Sequence, residues 1–247
     1  MKQIILHIPH SSTIIPFYDG FIVNNDIIKN EILIQTDWYT DDIFNCRNEL
    51  IIKADFSRIF CDPERFDDDQ QEEMSKYGMG VLYSTTDSGK AMRIITKELR
   101  EKIISDFYIK HHQKLTKIVS DQLKENSKAL IIDCHSFPEE PLLRDLNKRP
   151  NRPDFNIGTD SFHTPKNLVD FSINFFSNQG YSIAVDWPYT GTIVPLTYLQ
   201  RDKRVYSIML EINRKLYLNR SSNEKSGNYN KIKSIVSEYI EEIKNYL

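Results

Sequence analysis

Brief apolar runs rich in Ile and Val alternate along the chain with longer stretches whose apolar side chains recur at helical spacing. That alternation predicts an α/β architecture with a mostly parallel sheet. The runs Gln3–Ile8, Leu50–Asp55, Ala129–Asp133, Ser182–Asp186 and Val205–Ile212 read as strands, bounded by Pro, Gly, Asp or Asn. Between Lys90 and Asn126 a stripe through Ile95, Leu99, Ile103 and Phe107 continues as Tyr108, Leu115, Ile118, Val119 and Leu123, and predicts long helical structure. A shorter helix is expected from Asp41 to Leu50. Thr164-Pro165 offers a capping hydroxyl and a proline at the first helical position, leading into Leu168, Val169, Ile173 and Phe176 before Gly180 closes the helix. Ile232, Ile235, Val236, Tyr239, Ile240, Ile243 and Leu247 share one face of a last helix that docks on the sheet.

Pro138–Pro153 is the only long segment with neither period, and it reads as a loop. With Arg144, Lys148, Arg149 and Arg152 it is either a lid over an anionic substrate or a solvated excursion. Without an internal repeat or a Ser/Gly-rich linker, one domain over residues 1–247 is the simplest count.

At 247 residues, 40% hydrophobic and 27% charged, with only 8 Gly and 10 Pro, the chain can bury a sizeable core, and collagen-like, low-complexity and disordered readings fall away. The net charge of −3 and pI near 6.1 supply no overall field for a polyanion, so a small-molecule substrate is expected rather than nucleic acid. No apolar run approaches the roughly 20 residues of a membrane-spanning helix. Cys46, Cys61 and Cys134 form no CxxC pair and suggest neither a disulfide framework nor a cysteine zinc knuckle, which fits a reducing compartment. The start, Met1-Lys2-Gln3-Ile4-Ile5-Leu6, reaches His7 and Pro9 before a signal-peptide core forms, so the expected location is the cytoplasm.

Three polar clusters follow predicted strands, where a parallel sheet commonly displays its site. The first is His7-Ile8-Pro9-His10-Ser11-Ser12, in which alternation sends His7 and His10 to different sides and leaves His10 at the strand exit. The second, Asp133-Cys134-His135-Ser136, ends the most apolar strand. The third is Glu211, an ionisable group inside a strand that otherwise reads as core.

A buried carboxylate must be paired, protonated or coordinated, so Glu211 needs either a salt-bridge partner or a site. Two histidines and carboxylates at strand ends match an open catalytic zinc site, although each histidine alone reads as structural. A third ligand is then required. Asp37, in Gln35-Thr36-Asp37-Trp38-Tyr39, is the best carboxylate candidate and reads equally as a helix cap. Cys134 and His135 point to opposite faces, which disfavours a thiol nucleophile and leaves Cys134 as a buried small hydrophobe. Tyr108 and His112 share a helix face that reaches toward substrate, whereas His111 is expected to cover the core edge. Arg58 and Arg65 suit a substrate carboxylate, or an internal ion pair with Asp62 or with Asp67, Asp68 and Asp69. Pro188–Thr192 follows a strand and reads as pocket wall or ordinary turn.

Taken in order, Pro9-His10-Ser11, Thr36-Asp37-Trp38, Ser57-Arg58 with Asp62 and Arg65, Asp67-Asp68-Asp69-Gln70, Asp133 to Ser136, Asp154 to Thr159, and Leu210-Glu211 resemble the N-formylglutamate amidohydrolase family, a branch of the zinc-carboxypeptidase-like hydrolases. The resemblance implies a single three-layer α/β/α domain with a mostly parallel, mixed central sheet of the zinc-carboxypeptidase and phosphorylase/hydrolase-like kind. It also implies one divalent metal, zinc first, on residues matching His10, Asp37 and His135. Glu211 matches the general base. The expected reaction is hydrolysis of the amide of an N-acyl amino acid such as N-formylglutamate, with Arg58 at the oxyanion, Arg65 and Arg214 for the substrate carboxylate, and His112 and Thr190 in the pocket.

Two departures stand out: Ser12 where the family usually has glycine, and Glu64-Arg65 where it has Asn-Arg. A carboxylate beside an anion-binding arginine is expected to weaken attraction for a dicarboxylate. The rival readings are a non-hydrolytic protein holding an anionic ligand and a metal-dependent peptidase acting on short peptides.

Overall fold

A computed structural model describes residues 3–220 and 222–246. Its strands are β1 (Ile5–Ile8), β2 (Leu50–Lys53), β3 (Ala129–Phe137), β4 (Phe155–Gly158), β5 (Ile183–Val185) and β6 (Val205–Asn213), joined in one sheet of order β2-β1-β3-β6-β4-β5. All neighbours are parallel except β4 and β6. β3 is buried from end to end and β6 nearly so, which is why both read as near-continuous apolar runs: helices cover the sheet on both faces. Among the described residues no helix is long and apolar enough to cross a membrane.

The helices are α1 (Asn25–Gln35), α2 (Thr40–Ile43), α3 (Lys97–Ile103), α4 (Ile109–Asn126), α5 (Lys166–Asn178) and α6 (Tyr229–Ile243). On one face of the sheet Leu6, Ile8, Leu130, Ile132, Cys134, Ile208, Leu210 and Ile212 pack against α5 and α6. On the other, Ile5, Ile131 and Val205 meet Leu115 and Val119 of α4. The expected α/β/α layering is thus present.

The long stripe does form helix from Leu99 to Leu123, with Ile95 left just ahead of α3, but a π turn over Ile104–Tyr108 separates α3 from α4. The extra residue turns the buried face from Ile103 to Tyr108, His111 and Leu115, and so brings α4 onto the sheet. The helix expected from Asp41 to Leu50 stops at Ile43. Leu50 N–H must reach Ile4 C=O to pair β2 with β1, and the chain turns through Asn48 at φ 70° to do so. Thr164 does not cap α5: its hydroxyl donates to Ser207 C=O and also accepts from Asp160 N–H. The face expected on α6 is buried from Ile232 to Ile243, while Leu247, like Met1 and Lys2 of the expected chain start, lies outside the described residues.

Candidate functional site

Paired residues of parallel strands point to the same face, and the register across β1, β3 and β6 matches His7 with Asp133 and Met209, and His135 with Glu211. The α4-facing side of the sheet therefore begins apolar at Ile5, Ile131 and Val205 and turns ionisable at its carboxyl end. Loops extend this end. His10 lies two residues past β1, and its C=O accepts from Asp37 N–H at 3.0 Å, which fixes the segment between α1 and α2 beside it. Asp37 does not cap α2 through its side chain, because that helix starts from Tyr39 with no side-chain cap.

These elements bring three donor atoms together. His10 Nδ1 lies 3.3 Å from His135 Nδ1 and 3.7 Å from Asp37 Oδ2, and His135 Nδ1 lies 3.1 Å from the same oxygen. Tetrahedral zinc with bonds of about 2.0–2.1 Å places its ligand atoms roughly 3.3–3.4 Å apart, so the donor set and its spacing fit that ion.

Each imidazole turns its other nitrogen to carboxylates. His10 Nε2 is 2.9 Å from Asp62 Oδ1, while His135 Nε2 is 3.1 Å from Asp133 Oδ1 and 3.0 Å from Glu64 Oε2. Carboxylates behind imidazoles fix tautomer and ring orientation at metal sites. Burial alone would lower the His135 pKa, but Glu64 and Asp133 raise it well above the usual histidine range. Burial alone would likewise raise Asp37, yet His10, His135 and Arg214 hold it well below the usual carboxylate range.

His7, Glu64 and Asp133 form a second close group. His7 Nδ1 is 2.9 Å from Asp133 Oδ1 and 3.4 Å from Glu64 Oε1, and its Nε2 meets His111 Nε2 at 2.9 Å. Burial opposes the charge on His7, but Asp133 and Glu64 raise its pKa to about 9, whereas burial and the neighbouring His7 lower His111 to about 2. A proton on His7 therefore already serves the two acids, with neutral His111 accepting on the far side. This arrangement differs from the sequence expectation twice: His7 and His10 converge on Glu64, and His111 turns inward. The alternation rule fails for His10 because it lies past the strand.

Glu211 is buried beside His135, and its Oε2 has no hydrogen-bond partner. Burial raises its pKa to about 8, with His135 opposing and Asp37 reinforcing the shift. Arg58 Nε and Nη2 donate to Asp62 Oδ2 at 3.2 and 2.9 Å, and Nε also to Tyr83 at 3.1 Å. Arg214 is committed elsewhere than to a substrate: Nη2 donates to Asp37 Oδ1 at 2.9 Å and Nη1 to Ile34 C=O at 2.9 Å, so its structural task is to hold Asp37. His112 Nε2 donates to Pro63 C=O at 2.8 Å, and the side chain lines a neighbouring cleft rather than the one holding His10.

The cleft that holds these groups, about 380 Å³, joins His10, Asp37, His135 and Glu211 to Arg58, Arg65 and Thr190. The segment Pro138–Pro153 forms part of its wall, pinned by Arg152, which pairs with Asp145 at 2.5 Å. Sequence reasoning assigned no role to Asp133 or His7, and gave Asp62 only as an ion-pair partner of an arginine, which its pair with Arg58 bears out. Asp133 was the findable one, since it stands two residues before His135 on one strand and so shares its face. Glu64 reverses an expectation: it reaches back to the histidines instead of lying against Arg65's anion site. Cys134 is fully buried on the opposite face, and burial raises its thiol well above the usual range, as befits a core residue.

The profile of a family described as N-formylglutamate amidohydrolase matches residues 2–218. In three dimensions the chain is similar to N-formylglutamate amidohydrolase from Ralstonia eutropha JMP134, with a TM-score of 0.84 and 22% identity over 100% of this chain and 94% of that one. It is also similar to a gene product from Agrobacterium tumefaciens, with a TM-score of 0.68 and 16% identity over 99% and 90% of the two chains. Identities this low speak to fold alone. No protein of curated function matches in sequence. The profile match takes in the histidines, acids and arginines of the cleft, and on its extent the chain belongs to the N-formylglutamate amidohydrolase family.

Proposed function

We propose that the chain hydrolyses the amide bond of an N-acyl amino acid, N-formylglutamate first, with one divalent cation, zinc by its donor set, on His10, Asp37 and His135. The observation that carries this reading is the trio of donor atoms spaced 3.1–3.7 Å apart, with carboxylates behind both imidazoles and Glu211 alongside. When bound, the cation supplies Lewis acidity to the acyl carbonyl and brings the pKa of a water toward about 7.

The protein's own groups do the rest. Glu211 accepts a proton from the attacking water and returns it to the amine nitrogen as the C–N bond breaks, giving a carboxylate and a free amino acid. Its burial suits both halves of that exchange, because a carboxyl raised to about 8 gives and takes protons near neutrality. Arg58, fixed by Asp62 and Tyr83, lines the cleft and stabilises the oxyanion that develops on the acyl oxygen. Arg65 holds the α-carboxylate. Its Nε is buried without a partner, and its nearest acids, Asp62 and Glu72, lie 3.7 and 3.9 Å away. Thr190 lines the acyl side.

Purified protein loaded with zinc, offered N-formylglutamate, N-formyl amino acids with uncharged side chains and short dipeptides, tests the reading. Formate release together with about one tightly held zinc per chain is expected. Dipeptide cleavage without formate release would replace the substrate assignment, and no turnover with no tight metal would replace the enzyme with a binder.

A further inference from the structure

Behind His10, Asp37 and His135 lies a second donor set, His7, Glu64 and Asp133, each offering one atom within 4.8 Å of the others. His7 Nδ1 is 2.9 Å from Asp133 Oδ1 and 3.4 Å from Glu64 Oε1. The other ends of these side chains are engaged. Asp133 Oδ2 accepts from Ile193 N–H at 2.9 Å, and Glu64 Oε2 lies 3.0 Å from His135 Nε2. His7 Nε2 meets His111 Nε2 at 2.9 Å, and because burial keeps His111 neutral, His7 is the donor there. One imidazole nitrogen and two carboxylate oxygens are left converging on a single point.

Three observations mark that point as more than an ion pair. Glu64 Oε1 is buried without a hydrogen-bond partner, a costly state for a carboxylate oxygen. Among the described residues no lysine or arginine nitrogen comes within 4.0 Å of Glu64 or Asp133, since Arg58 and Arg65 turn to Asp62 and Glu72. Both acids also open on a second cleft, about 460 Å³, between residues 63–66 and 190–194, which leaves room for water ligands. With His135 neutral on a first ion, a proton on His7 offsets one of the two negative charges, whereas a divalent ion at Nδ1 offsets both.

We propose that His7, Glu64 and Asp133 form a second divalent-cation site, filled after the first and suited to an oxygen-preferring ion, manganese by its donor set. This rests on the proposed first ion for its charge balance and not on amide hydrolysis. An octahedral ion with bonds of about 2.1 Å spaces neighbouring donors roughly 3.0 Å apart, and the two distances from His7 Nδ1 bracket that value. Glu64 spans both sites, one oxygen toward His135 and the other toward the second ion, so the ion pins an acid that orients that histidine. Glu64 also stands where the family usually has asparagine, whose neutral amide brings no charge to the cluster.

Protein loaded with one equivalent of zinc is titrated with manganese, and the free-ion EPR signal reads binding without any turnover. One manganese per chain is expected, with zinc retained, and pulsed EPR of the bound ion is expected to show coupling to one coordinated imidazole nitrogen. His7→Gln and Glu64→Asn should each weaken the binding by about 10-fold or more. Metal-free His135→Ala should still bind manganese, because it lacks a donor of the first site and none of the second. No uptake by zinc-loaded wild type, uptake only as zinc is lost, uptake without nitrogen coupling, or uptake undiminished in both variants overturns the assignment, even if formate is released. Manganese bound with nitrogen coupling by protein that releases no formate upholds it and overturns the proposed hydrolysis instead.

Discussion

In the proposed reaction Glu211 moves the proton, and its burial is also a cost to the fold. Its folded pKa, about 8, lies above the ordinary 4.5, so its ionisation opposes folding increasingly as pH rises from 4.5 and fully once pH passes 8. Glu211→Gln is therefore expected to stabilise the chelated protein near pH 8, by roughly 1–3 kcal/mol, with no gain below pH 4. Urea denaturation across that range reads the effect, and a constant offset would contradict it. The same variant should retain zinc and lose about 10²–10⁴-fold in turnover. Asp62 acts through His10, so Asp62→Asn should weaken zinc affinity about 10–100-fold in a chelator competition, with turnover restored at saturating metal. An unchanged affinity would leave Asp62 as a partner of Arg58 alone. His10, His135 and Glu211 were legible as candidates because polar groups interrupt or end apolar strands. Glu64 was not, since the turn that sends its carboxylate back to His135 depends on Glu64 N–H donating to Asp62 Oδ1, a contact no spacing rule displays.

Among the elements, β3 and β6 were readable as continuous apolar runs, and their register alone sets His135 beside Glu211. β4 was missed as a strand: four residues between Pro153 and Thr159 are too few to show a period, and its antiparallel pairing with β6 is a tertiary fact. α1 was missed because it buries only Ile28, Glu31 and Gln35 and so presents no apolar stripe, although Asn24 caps it by accepting from Ile27 N–H. β4 bears on the cleft through Gly158, where an added Cβ would lie 2.2 Å from Gly191 C=O, next to Thr190. Gly158→Ala is expected to destabilise the protein by about 1–3 kcal/mol and to raise KM by displacing the loop at Thr190. Thermal unfolding and steady-state kinetics check both. A stability loss with KM unchanged would remove that loop from substrate binding.

For the whole molecule the decisive imbalance is local. A net charge of −3 says little, whereas one end of the sheet gathers buried Asp37, Asp62, Asp133 and Glu211 and half-buried Glu64 around the guanidinium groups of Arg58, Arg65 and Arg214. Acids gathered this closely repel one another unless protons or a cation offset them, and here protons on His7, His135 and Glu211 do part of that work. In the proposed reading a divalent ion on His10, Asp37 and His135 takes the place of the His135 proton in the folded chain, and the unfolded chain offers no preformed site. Zinc at about 1,000 times its dissociation constant should thus stabilise the fold by about 4 kcal/mol. For a chain of this size that corresponds to a melting shift of roughly 8–16 °C between chelated and zinc-loaded protein. His135→Ala should abolish the shift because it removes a donor, whereas Glu211→Gln should preserve it because Glu211 is a neighbour rather than a ligand. If chelated and loaded wild type melt together, the acids must be balanced by protons alone, and turnover would then fall steeply as pH rises through 9 with the deprotonation of His7.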